Sequence, residues 1–198
     1  MNRCKLFFLT FLIVCQAEAG VSILLTESGN DVVASGSGTV NLAGLTLGGG
    51  NDSTEGIQPG IGYLAVGALD GDLIQLYNGV SGPSSFGTGG SFRIPNSGTG
   101  DRVNIHGAAN HIRLRSGYTS GEQLSFMNTW LNSSFDSLGI TEGTYTWTWG
   151  AGANADSLQI VAMTVVPEPE LYGVVTLLLA LGGVWFRRER VSRIRLFD

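Results

Sequence analysis

Lysine is nearly missing from this chain: Lys5 is the only one, and arginine supplies the rest of its eleven basic side chains. Cysteine is as scarce, since Cys4 and Cys15 both fall within the first fifteen residues. Between residues 20 and 166 there is neither lysine nor cysteine, and no apolar pattern of helical period is long enough for a crossover helix. Each absence excludes a class of function. A phosphate loop lacks its lysine, and no Gly-x-Ser-x-Gly elbow offers a serine nucleophile. A cysteine nucleophile and a thiolate metal centre are ruled out for this stretch. No disulfide can hold it either, so a hydrophobic core must do so alone, for which about 150 residues suffice. A parallel βαβ fold is excluded, and no fixed-period repeat points to a solenoid.

Charge sorts by segment. The whole chain carries −5 at pH 7. Residues 20–166 hold four arginines (Arg93, Arg102, Arg113 and Arg115) against eleven carboxylates, a net −7 that the arginine-rich C-terminus conceals. Such an acidic stretch is a poor partner for nucleic acid and is kept soluble by self-repulsion.

Both ends read as export signals. Arg3 and Lys5 precede an apolar run from Leu6 to Val14, and Ala17-Glu18-Ala19 is a small-x-small cleavage sequence. Residues 1–19 are therefore expected to be a signal peptide, cut by signal peptidase after Ala19. The branched Val14 before Cys15 does not suit a lipoprotein site. At the other end, Pro167 and Pro169 favour an extended stretch, which Glu168 and Glu170 keep in water. Leu171 to Phe186 then runs sixteen residues without a charge, about 24 Å as a helix. That is short for a hydrocarbon core of about 30 Å but enough where the bilayer thins. Tyr172 and Trp185 lie near its two ends, where interfacial aromatics belong. Arg187, Arg188, Arg190, Arg193 and Arg195 follow, so the positive-inside rule puts residues 187–198 in the cytoplasm. A single transmembrane helix over 171–186 is expected.

Pro167-Glu168-Pro169, a short apolar helix and a terminal arginine cluster, in that order, resemble the PEP-CTERM sorting signal of Gram-negative bacteria. The resemblance implies that residues 167–198 are recognised by an exosortase, a membrane-embedded cysteine transpeptidase. That enzyme cleaves near the motif and passes an inner-membrane-anchored precursor to the cell surface. Pro167, Glu168 and Pro169 would then be recognised, not catalytic. The chain departs from the pattern in running on from Val191 to Asp198. Thr26 to Ala34, and Ser137 to Gly150 with Ala155 to Ile160, are similar to the opening and closing strands of exported domains in the same group, which implies no particular activity. A tail anchor that is never cut is the simpler alternative.

Residues 20–166 read as one exported all-β domain, an antiparallel sandwich or jelly roll. Val21–Ser28 and Asp31–Ala34 flank Gly29-Asn30, a two-residue hairpin turn. Further strands are expected at 39–42, 61–66, 72–77, 91–94, 102–106, 111–115, 123–129, 144–149 and 157–165, with a loop over the Gly- and Ser-rich 48–60. Phe135-Asp-Ser-Leu138, ended by Gly139, is the one helix-like turn.

Two groupings carry chemistry. Tyr145, Trp147 and Trp149 alternate with threonines and share one strand face. They form either a platform that stacks sugar rings or part of the core, and the threonine face favours the core. The second grouping is a hairpin in which Arg102-Val-Asn-Ile-His106 pairs with His111-Ile-Arg-Leu-Arg115. Its expected register sets His106 opposite His111, Asn104 opposite Arg113 and Arg102 opposite Arg115, with Val103, Ile105, Ile112 and Leu114 toward the core. The polar face would be a basic patch suited to the carboxylates or sulfates of an exopolysaccharide, or an ordinary solvated strand face. As a metal site the two histidines lack an obvious third ligand, and the acids at Asp52, Asp70, Asp72 and Asp101 match no calcium-loop spacing. No cofactor or catalytic residue is expected. The reading is an exported, non-enzymatic surface or matrix protein of structural or interaction role. A carbohydrate-binding module, using either the aromatic or the arginine face, is the alternative.

Overall fold

A computed structural model describes residues 20–51, 53–69 and 74–165. The signal peptidase residues Ala17 and Ala19, the motif Pro167, Glu168 and Pro169, the apolar helix over 171–186 and the cluster Arg187, Arg188 and Arg190 lie outside the described residues.

Alternation decides the first strand. Along Val21–Ser28 (β1), Val21, Ile23 and Leu25 are buried while Ser22 and Leu24 face outward. A two-residue turn with Gly29 at φ 64° reverses the chain into Asp31–Gly38 (β2), which buries Val32 and Ala34 on the same side. The remaining strands are Thr46–Asn51 (β3), Gly56–Gln58 (β4), Tyr63–Val66 (β5), Ile74–Asn78 (β6), Ser97–Gly100 (β7), Val103–His106 (β8), His111–Arg115 (β9), Leu124–Trp130 (β10), Gly143–Trp149 (β11) and Asp156–Thr164 (β12). They form two six-stranded sheets, ordered β11-β12-β1-β2-β10-β7 and β3-β6-β9-β8-β5-β4. Pairing is antiparallel except between β1 and β12, where the first and last strands lie side by side with Val21 opposite Leu158.

The two sheets share one hydrophobic cluster, an all-β sandwich. Ile23, Leu25, Leu124, Trp130, Trp147, Leu158 and Ile160 come from one sheet, and Leu64, Ile105, Ile112 and Leu114 from the other. Each large apolar side chain so buried is worth about 1.5–3 kcal/mol. The packing tolerates no addition at Gly36, where a Cβ would lie 2.5 Å from the Phe126 ring. The expected helical turn is present as α1 (Phe135–Leu138), capped by Ser134 and Ser137 and ended by Gly139 at φ 72°. Among the described residues no helix is long and apolar enough to cross a membrane.

Three expectations fail. Residues 48–60 are not simply a loop, because β3 and β4 lie there as edge strands. In β3, a Cβ at Gly48 would lie 2.5 Å from the tip of the Leu76 side chain, which would have to move aside. Residues 91–94 form no strand; Arg93 makes a single bridge to Ile57 and Pro95 follows. Residues 39–42 form none either: Val40 sinks into the core, and Leu42–Gly44 makes a 3-10 turn capped by Asn41. The polar edge strand β7 carries no hydrophobic alternation and was not expected.

Candidate functional site on the outer face of the second sheet

The β8–β9 hairpin has the register expected from the sequence: Val103 opposite Leu114, Asn104 opposite Arg113, Ile105 opposite Ile112 and His106 opposite His111. The Arg115 N–H donates to the Arg102 carbonyl at 3.2 Å, extending the pairing by one position. Val103, Ile105, Ile112 and Leu114 enter the core, which leaves Arg102, Asn104, His106, His111, Arg113 and Arg115 on the opposite face. Neighbouring strands widen this face, with Tyr63 opposite His106 on one side and Asn78 opposite His111 on the other.

The face is not the open basic patch that the sequence suggested. Arg102 is 5% exposed and paired with Glu55, and it also donates to the Ser53 carbonyl. Arg115 is held by Asp101 at 3.2 Å and by Glu122, and its guanidinium lies 5.9 Å from the Tyr118 ring centre. Two of the three arginines are thus neutralised by carboxylates from the chain itself. Glu55 could not be foreseen as the partner: it lies 47 residues from Arg102 in a segment read as loop. Asp101, set aside as a calcium candidate, is occupied by Arg115 and by the Ser125 N–H at 2.9 Å.

What remains is a row of polar atoms without a hydrogen-bond partner among the described residues. Asn104 is buried with both amide atoms unpaired, His111 is buried with Nε2 unpaired, and Arg113 has its Nε unpaired and no ion pair among the described residues. Buried polar groups in native proteins are nearly all hydrogen-bonded to protein or ordered water, so these atoms mark a place where water or a further group completes the bonding. The imidazoles of His106 and His111 meet edge to face with ring centres 5.1 Å apart, and Tyr63 packs on His106 at 5.3 Å. Tyr63 is itself anchored through its hydroxyl, 2.9 Å from the Ser53 hydroxyl and 3.1 Å from the Thr54 carbonyl oxygen.

Burial, then the Arg113 guanidinium, holds His106 below its usual range. His111 is pushed down to about 4 by burial first, then by Arg113 and His106; only a hydrogen bond to the Ala109 backbone acts the other way. Both rings are therefore neutral at pH 7.

The aromatic platform is corrected. Trp147 and Trp149 are buried, with their indole N–H groups donating to the Pro83 carbonyl at 2.9 Å and the Asn41 carbonyl at 2.9 Å. Tyr145 is half-buried, and its hydroxyl donates to the Thr141 carbonyl at 3.0 Å. Three aromatics at period two line the interior here, and no stacking face is left for a sugar. Among the described residues no three of histidine, cysteine, aspartate and glutamate gather as a metal cluster. Comparison of the chain with profiles of known protein families, with curated proteins and with solved structures finds no match.

Proposed function

We propose that this chain is an exported protein of the cell surface or extracellular matrix, delivered by an N-terminal signal peptide and processed at its C-terminus by an exosortase. The all-β domain serves a structural or interaction role. The observation that carries this reading is the tail, Pro167-Glu168-Pro169 followed by an apolar stretch over 171–186 and an arginine cluster. The fold is compatible with a cut there. The last strand, β12, ends at Thr164, three residues before Pro167, so cleavage at the motif leaves both sheets whole. In this reading residues 171–186 cross the inner membrane only in the precursor. The carbohydrate-binding alternative is not carried forward in either form, because Trp147 and Trp149 are buried and Arg102 and Arg115 are already paired.

Mass spectrometry of the protein released from the surface of its native host tests the reading. A mature chain that starts at Gly20 and ends near Pro167 is expected, and a Pro167→Ala/Glu168→Ala/Pro169→Ala variant should accumulate uncut in the membrane. A surface-released chain still carrying Asp198 would sink the proposal.

A further inference from the structure

Asp156 is a buried carboxylate with no cation beside it. It is 6% exposed, and backbone N–H groups meet both its oxygens: Asn41 donates to Oδ2 at 2.6 Å and Ser157 to Oδ1 at 2.7 Å. Among the described residues it has no ion pair. Aspartates are almost never fully buried unless paired. The neighbour on its open side is Gly20, the residue that follows Ala17-Glu18-Ala19. Val21 pairs with Leu158, which sets Gly20 next to Ser157 where the first and last strands meet. The Gly20 carbonyl is fixed there: it accepts the Thr39 N–H at 3.1 Å, and a Cβ on Gly38 would collide with it.

The surroundings of Gly20 have a chemical meaning. The three atoms nearest to a Cβ built on it are all oxygens: the Ser157 carbonyl at 3.0 Å, the Ser157 hydroxyl at 3.2 Å and Asp156 Oδ1 at 3.6 Å. For a carbon that place is crowded and polar; for an ammonium it is a cradle. Hydrolysis of the Ala19–Gly20 bond takes up one water, leaves a carboxylate on Ala19 and gives Gly20 an α-amino group, which is protonated at pH 7. A turn of about 120° about the Gly20 Cα–C bond then carries the nitrogen into the place of that Cβ, because both stand at nearly the same distance and angle from Cα. The carbonyl and all of β1 stay where they are. An ammonium brings three N–H donors, and three oxygens surround the place, one of them anionic.

We propose that the α-ammonium created at Gly20 docks against Ser157 and pairs with Asp156, so that removal of the signal peptide fastens the first strand to the last. For the cut itself the inference rests on the export reading. Before the cut the Gly20 nitrogen is an uncharged amide and gives Asp156 no counter-ion. After it, the junction of β1 and β12, the parallel pairing in the fold, gains an ion pair at its starting end. The processed chain also provides a chemical handle. Lys5 leaves with residues 1–19, so the Gly20 α-amino group is the only primary amine in residues 20–198.

The chain from Gly20 to Asp198, released in detergent from a fusion by a protease that leaves Gly20 first, tests the docking independently of the natural cut, which the mass of the native protein decides. Acetylation by a succinimidyl ester at pH 7, followed by mass spectrometry, reads this amine alone. It should react about tenfold more slowly in the folded chain than in urea, because only the undocked amine attacks the ester. Asp156→Asn, with a native circular dichroism spectrum, should recover most of that rate. One extra alanine before Gly20 should lower the melting midpoint of the wild-type chain by about 2–4 °C and leave that of Asp156→Asn unchanged. An amine that reacts as fast in the folded chain as in urea overturns the proposal. An added alanine that costs the wild-type chain nothing, or that lowers both midpoints equally, overturns it as well.

Discussion

Protonation of His111 should be costly to the folded state, and the cost can be isolated. In the unfolded chain the ring takes a proton at the usual 6.5; in the folded chain burial, Arg113 and His106 delay this to about 4. Between those values the unfolded state binds the extra proton, so stability rises with pH across the window. The contribution is fully present above the unfolded value and is lost as the pH falls through the folded one. Linkage over this interval gives about 2 kcal/mol between pH 7 and pH 4.5 after allowing for solvent screening. Urea unfolding followed by tryptophan fluorescence reads this directly. Carboxylates titrate in the same region, so the informative quantity is the wild-type loss minus the loss in His111→Gln. That difference should be about 2 kcal/mol, and should shrink in an Arg113→Gln background because the second-largest cause of the shift is gone. Parallel loss of stability in wild type and His111→Gln would refute the reasoning, since it would mean the ring is not held neutral by its surroundings.

The other predictions concern the core and the ion pairs. Trp147→Ala removes a fully buried indole and its hydrogen bond to Pro83, and should cost about 3–5 kcal/mol in thermal or urea unfolding. In a Trp185→Phe background the fluorescence of Trp130, Trp147 and Trp149 should be blue-shifted and resist iodide, whereas strong quenching by iodide or a sugar would restore the aromatic platform. Glu55→Ala leaves a buried guanidinium short of its carboxylate and should cost about 3 kcal/mol. Glu122→Ala, which breaks a half-exposed pair while Asp101 still holds Arg115, should cost less than about 1 kcal/mol in the same assay.

These two arginine pairs also show what local sequence could and could not reveal. Alternation of side chains is a property of the strand itself, so the sequence alone assigns Val103, Ile105, Ile112 and Leu114 to the core and sets His106 opposite His111. The same holds for α1, whose cap residues lie within five positions of one another. Partners brought in from elsewhere obey no such local rule. Glu55 reaches Arg102 because β4 and β5 fold the preceding segment across the outer face, and β4 has only three residues and little hydrophobic pattern. Edge strands β3 and β7 escaped for the same reason: glycine and serine pair through their backbones, and backbone pairing leaves no trace in hydropathy. The candidate site followed this division. Its residues and their register were legible as a hairpin, but its character depended on which charges were already answered. Once Glu55, Asp101 and Glu122 are placed, two of three arginines drop out, and what is left unpaired among the described residues is the Asn104 amide, the His111 Nε2 and the Arg113 Nε. A face read as an open anion-binding surface becomes, once its internal partners are placed, one on which two of the three arginines are already neutralised.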